Sequence, residues 1–241
     1  MERKITLSKE DIMKFQNTLD NLKSNSNWQV LKTYLIEMKI KYPSEYFICT
    51  ELSNAYHMLG MYKESEQASM EAIQLEPNDV LVIYNYAVAL YSNEKYLKAI
   101  VQLNRILKRR INSIAYGVHG EGLKWAMSIK NDSLYLKAIC QLNLGKLKEA
   151  YSLIGKHLAQ RRRGVYSDFT KKQVKRKEQY IIKGLNKVLP GFDKKVGEEG
   201  FDIRTEVIKQ GANLKMSGIE RVTDKVIEDK NKELNNKKNK D

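Results

Sequence analysis

Apolar residues along most of this chain recur at i, i+3 or i+4 and i+7, the spacing of one helix face, and no strand is evident. Pro43 and Pro77 lie 34 residues apart, each after one helical pattern and before another. Proline breaks a helix yet suits the first turn of the next, so it works as a stop between units. With Pro77 as position 32 of a unit, residues 46–79 place Leu52 at position 7, Ser53 at 8, Tyr56 at 11, Gly60 at 15, Tyr62 at 17 and Ala72 at 27. Residues 80–113 place Tyr86, Ala87, Leu90, Glu94, Tyr96 and Ile106 at the same positions, with Ala99 at position 20.

Small residues at fixed places in such a unit mark where two helices of a hairpin cross closely, because a bulky side chain there would push them apart. The pattern resembles the tetratricopeptide-repeat (TPR) family, which has a large residue at position 4, small ones at 8, 20 and 27, and an aromatic at 11. An earlier unit, 12–45, fits more loosely through Phe15, Leu19, Leu22, Trp28, Leu31, Met38 and Pro43, and lacks the small residue at position 8. A later unit, 131–164, carries Leu134, Ala138, Gly145, Leu147, Ala150 and Leu158 but no terminal proline. Residues 114–130 interrupt the array as an insertion. Gly117, Gly120 and Gly122 precede Leu123, Trp125, Ala126, Met127 and Ile129 there. This reads as a glycine-rich linker merging into a short helix, or as a longer helix packed closely at its glycines.

The remaining segments complete an expected architecture. Residues 1–11 form an N-terminal extension. Residues 165–190 form a basic helix capped by Ser167 or Asp168, with Val174, Ile181, Leu185 and Val188 along one stripe. It suits the terminal cap that a repeat array needs to cover its last apolar surface. Residues 191–241 are charged, glycine-bearing and poor in apolar residues, and read as a flexible tail with a weak helix over 219–234. The expected fold is all-α: a TPR superhelix of helix-turn-helix repeats, with an insertion before the last repeat, a C-terminal capping helix and a flexible tail.

Charge changes this picture locally. Of a formal net charge of +14, residues 161–190 supply more than half, with ten Lys and Arg against two Asp and Glu. Arg161, Arg162 and Arg163 close the last repeat, where cations suit a helix C-terminus and Gly164 suits the stop. Together with Lys171, Lys172, Lys175 and Arg176 they also form a candidate anion-binding segment, and Tyr166, Phe169 and Tyr180 beside them could stack on bases. No nucleic-acid-binding motif accompanies them. The 42% hydrophobic content suffices for one core-bearing domain. Cys49 and Cys140 stand in apolar helical patterns outside any metal-ligand spacing, as reduced core thiols. No signal peptide or membrane-spanning run is seen, and a cytoplasmic setting is expected.

The resemblance implies a binding scaffold whose inner groove is lined by the first helix of each unit. Positions 2, 5, 6, 9, 12 and 13 usually point inward there. They supply Phe47, Thr50, Asn54 and His57 from one unit and Tyr84, Asn85, Val88 and Tyr91 from the next. Asn54 and Asn85 match the paired asparagines with which peptide-binding TPR domains grip a backbone. The family's carboxylate clamp also needs basic residues, but Thr50, Asp132 and Leu136 occupy their places. No catalytic motif, no metal-ligand set and no cofactor signature appears. His57 is a groove contact, His157 falls on a packing position and His119 sits among the insertion's glycines. The expected role is a non-enzymatic adaptor for a peptide or helix of a protein partner. A nucleic-acid contact through 161–187 is the alternative, membrane binding is not expected, and self-association through an uncovered terminal repeat stays open.

Overall fold

The computed structural model describes residues 8–192. The first seven residues, most of the expected tail and its weak helix at 219–234 lie outside the described residues. The chain divides into two compact units, Met1–Ile181 and Ile182–Asp241. Ten helices and no strand occur among the described residues: α1 Lys9–Ser24, α2 Trp28–Lys41, α3 Tyr46–Met58, α4 Tyr62–Leu75, α5 Val80–Ser92, α6 Tyr96–Lys108, α7 Ile111–Ala115, α8 Leu123–Asn143, α9 Leu147–Arg162 and α10 Lys171–Val188. In the first unit α3–α4, α5–α6 and α8–α9 pack as hairpins, and α2–α3, α4–α5 and α6–α8 stack each hairpin on the next.

The crossings follow the small residues. Ala87 and Ala99 meet between α5 and α6, and Ala138 and Ala150 between α8 and α9, all fully buried. Between α3 and α4 the equivalent pair is Ser53 and Ser65. Each hydroxyl donates to the other residue's carbonyl at 2.9 Å, so two buried hydroxyls are satisfied at the point of closest approach. In α1 and α2 the same positions hold buried Leu19 and Leu31. Leucine on both sides keeps the backbones apart, and this hairpin packs less closely than the others.

The turn inside each hairpin needs one left-handed residue. Ser26, Gly60, Glu94 and Gly145 supply it, with φ of 54°, 74°, 59° and 75°. All four stand at position 15 of their units, so the repeat extends to backbone conformation. Only two are glycine, the residue that adopts this region without a Cβ penalty.

Caps set other boundaries. Asp79 accepts from Leu81 N at 2.7 Å and starts α5. At α10 the expected cap at Ser167 or Asp168 is replaced by a capping box. Gln173 N donates to Thr170 Oγ1 at 3.2 Å, and Thr170 N donates to Gln173 Oε1 at 2.8 Å. Along α10 the buried stripe is Val174, Ile181, Leu185 and Leu189. Val188, expected on this stripe, is 56% exposed at the last position of α10, and Leu189 just beyond the helix is buried instead.

The insertion holds α7, a loop at 116–122 and the start of α8. After the glycines no separate short helix forms: α8 runs unbroken from Leu123 into the first helix of the last hairpin. The glycines lie in the loop rather than in a helix. A Cβ on Gly120 would stand 2.3 Å from the Ala115 carbonyl oxygen, so this loop closes only around glycine. His119 is carried back onto α3, its ring 5.7 Å from that of Tyr46, with Nε2 3.5 Å from Glu76.

Buried apolar groups run through the array from Phe15, Leu31 and Leu52 to Ile83, Leu103 and Ile106, then to Leu136 and Ile154. Each fully buried Leu or Ile contributes about 1.5–3 kcal/mol. Cys49 and Cys140 are buried free thiols, and burial pushes the Cys140 thiol up to about 12.

Candidate peptide-binding groove

The first helices α3, α5 and α8 lie side by side, α3 against α5 and α5 against α8. Asn54 on α3 is exposed and Asn85 on α5 half-buried, and neither amide has a hydrogen-bond partner among the described residues. His57 is half-buried, its Nδ1 3.3 Å from the Ser92 hydroxyl and its ring 5.6 Å from Tyr62. Burial lowers its pKa, which favours the neutral imidazole. Val88 and Tyr91 are partly buried against Ala87, Leu90 and Leu136, leaving one side of each open.

Two expected groove residues turn inward. Thr50 is buried, and its hydroxyl donates to the Tyr46 carbonyl at 3.0 Å, a bond that a β-branched hydroxyl makes readily along a helix. Phe47 packs edge-on against Phe15, with centroids 5.3 Å apart, in the core of the first hairpins. An ion pair between Lys23 and Glu51, at 2.6 Å, lies beside them.

Tyr84 opens onto a cavity of about 340 Å³ lined by Leu81, Lys124, Trp125, Ser128, Asp132 and Asp168, with Tyr166 from the α9–α10 loop at its edge. Asp132, 3% exposed, anchors that loop by accepting from Asp168 N at 3.3 Å through Oδ2. Its other oxygen, Oδ1, has no partner among the described residues. Burial is the main cause that raises the Asp132 carboxyl, to about 6; the Ser167 hydroxyl and the Asp168 amide pull the other way. Burial, then the charges of Asp132 and Asp168, also push the Tyr84 hydroxyl well above the usual phenol range.

A second cavity, of about 360 Å³, lies where α10 begins and is lined by Tyr91, Tyr135, Leu136, Ile139, Phe169, Gln173, Arg176 and Lys177. Phe169 and Tyr135, with centroids 4.4 Å apart, stand at this cavity, while Asp168 lies in the first. The first turns of α10 therefore border the groove face of α5 and α8.

The basic residues come from the end of α9 and the start of α10. Arg161 is half-buried, with Nη1 donating to the Val165 and Ser167 carbonyls at 3.5 and 3.3 Å. Arg162 and Arg163 are exposed at the end of α9. Lys171, Lys172, Lys175 and Arg176 form an exposed ridge over the first turns of α10, with Lys175 paired to Glu178 at 3.0 Å.

Trp125, Asp132 and Asp168, which line the first cavity, were not among the candidate residues expected from the sequence. Asp132 counted in the sequence only as the missing lysine of a clamp, and Trp125 only as part of the helix that follows the insertion's glycines. An aromatic seven residues before an acid was the available signal. It becomes legible once α8 is one helix, because that spacing puts both on one face.

Among the described residues no group of His, Cys, Asp and Glu could hold a metal ion, and no helix is long and apolar enough to cross a membrane. No family model matches the sequence. A TPR repeat-containing protein of Methanocaldococcus jannaschii is 26% identical over 106 residues, which cover 44% of this chain and 15% of that protein. The matched stretch is thus a small part of a much longer relative. What recurs along this chain is the place of each residue within a hairpin, from left-handed turn to small-residue crossing, and that recurrence together with this similarity supports a tetratricopeptide-repeat protein.

Proposed function

We propose that this protein is a non-enzymatic interaction scaffold that holds a peptide or helical segment of a protein partner in the groove of α3, α5 and α8. The observation that carries the reading is the pair of open amides, Asn54 and Asn85, on adjacent first helices. Each amide offers donors and an acceptor, so the pair can grip a peptide backbone without reading its side chains. Tyr84, Val88, Tyr91 and His57 beside them supply partly apolar surface for those side chains. The similarity to a TPR repeat-containing protein supports a role in protein interaction.

Asn54→Ala combined with Asn85→Ala tests the reading in a crosslinking pulldown of the full chain from its native cell. Two hydrogen bonds of about 1 kcal/mol each give roughly a thirtyfold loss of capture. Capture that stays unchanged, with the helical circular dichroism intact, refutes it.

The exposed ridge of Lys171, Lys172, Lys175 and Arg176 favours a second reading, contact with nucleic-acid phosphates. It predicts binding to generic DNA and RNA at low salt that falls steeply as salt rises. Undetectable binding at low salt removes it.

A further inference from the structure

We propose that the cavity between α5, α8 and the α9–α10 loop seats a basic side chain, the guanidinium or ammonium end of an Arg or Lys in the bound segment. The inference rests on the groove reading above and names what one part of that groove selects.

In a chain of net charge +14, this cavity carries two carboxylates and one cation. Asp132 is buried, lines the cavity and leaves Oδ1 without a partner. A buried carboxylate with an open oxygen is costly unless a proton or a cation meets it. Burial raises the Asp132 carboxyl even though the Ser167 hydroxyl, the Asp168 amide and the Arg161 charge pull it down. Arg161 approaches from α9, but its Nη1 is engaged by the Val165 and Ser167 carbonyls. Asp168 is exposed and adds a second negative charge beside Asp132.

The walls suit the same ligand. Trp125, Tyr84 and Tyr166 offer aromatic surface to a cation and to the aliphatic stem that carries it. The one cation in the lining, Lys124, is exposed and has no ion pair among the described residues. It repels a positive guest and would attract a negative one, so it separates the two possibilities.

The probe is a set of blocked pentapeptides, alanine on both sides of a central arginine, lysine, norleucine or glutamate. They are titrated into the full chain carrying Trp28→Phe, in which Trp125 is the remaining tryptophan of the two. The arginine and lysine peptides are expected to shift Trp125 emission saturably and to bind about tenfold tighter than norleucine. Asp132→Asn is expected to weaken them about tenfold with unchanged circular dichroism, and Lys124→Gln to tighten them. The proposal is overturned if the arginine and lysine peptides give no saturable shift or norleucine and glutamate bind equally well. It is equally overturned if Asp132→Asn has no effect or Lys124→Gln weakens binding. Agmatine binding more tightly than the arginine peptide would assign the cavity to a free cation and overturn the peptide assignment.

Failure of this inference is distinguishable from failure of the groove. If partner capture depends on Asn54 and Asn85 while no basic peptide moves Trp125, the cavity fails and the groove stands. If the arginine peptide depends on Asp132 while capture ignores both asparagines, the cavity stands and the asparagine grip fails.

Discussion

Glu94→Gly should stabilise this protein, although it removes a side chain and loosens the unfolded chain. Glu94 holds φ at 59° in the turn between α5 and α6. A non-glycine residue in that region costs about 1–2 kcal/mol. Glycine removes that strain but adds about 0.5–1 kcal/mol of unfolded-state entropy. The difference is a net gain of about 0.5–1 kcal/mol. Little offsets it, because the Glu94 side chain is exposed and makes no hydrogen bond or ion pair among the described residues. The turn itself keeps its bond from Glu94 N to the Tyr91 carbonyl at 2.9 Å, which glycine also makes. For a chain of this size the gain corresponds to a melting temperature higher by about 1–4 °C. Gly60→Ala is the mirror experiment at the same repeat position. No atom stands within 4 Å of the added Cβ, so backbone strain of about 1–2 kcal/mol is offset only by about 0.5–1 kcal/mol of lost unfolded-state entropy, a net loss of about 0.5–1 kcal/mol. Thermal and urea melts followed by circular dichroism read both. A destabilising Glu94→Gly, or a neutral Gly60→Ala, would refute the claim that position 15 imposes a left-handed turn.

Two further predictions concern burial. The Asp132 carboxyl rises from 3.8 to about 6 on folding, so the folded state prefers it protonated, and ionisation costs about 3 kcal/mol once the pH exceeds both values. Asp132→Asn should therefore melt higher than wild type at pH 7, with the difference shrinking as pH falls from 6 toward 4; a difference constant across that window contradicts the account. Ala99→Leu places a large side chain at the α5–α6 crossing, where Ala87 and Ala99 are both fully buried, and should cost about 1–3 kcal/mol in urea melts, whereas Lys98→Leu on the exposed side of α6 should change little.

The hairpin array was legible because two prolines and a few small residues carry it. Ala87 with Ala99 and Ala138 with Ala150 could be paired because the resembled repeat pattern puts small residues at those positions, where only small side chains let helices cross. The left-handed turns were half legible: Gly60 and Gly145 announce them, while Ser26 and Glu94 adopt the same φ under constraint from the hairpins they join. At α10 the sequence reads Ser167 or Asp168 as the cap, and only the loop's path shows that Thr170 pairs with Gln173 while Ser167 faces Asp132. The groove was least legible at its C-terminal end. Its cavity needs α8 to continue through the insertion and the α9–α10 loop to fold back, and both depend on tertiary contacts that helical periodicity does not carry. Thr50 and Phe47 show the converse: an inward repeat position can still be satisfied within its own helix or core.

The central claim is that the partner lies along the first helices of the hairpins. Hydrogen exchange on the full chain, with and without its captured partner, tests this most directly. The account predicts added protection in α3, α5 and α8, together with the α9–α10 loop, and little change in α4 and α6. Protection confined to α4 and α6, or to the basic ridge of α10, would contradict it.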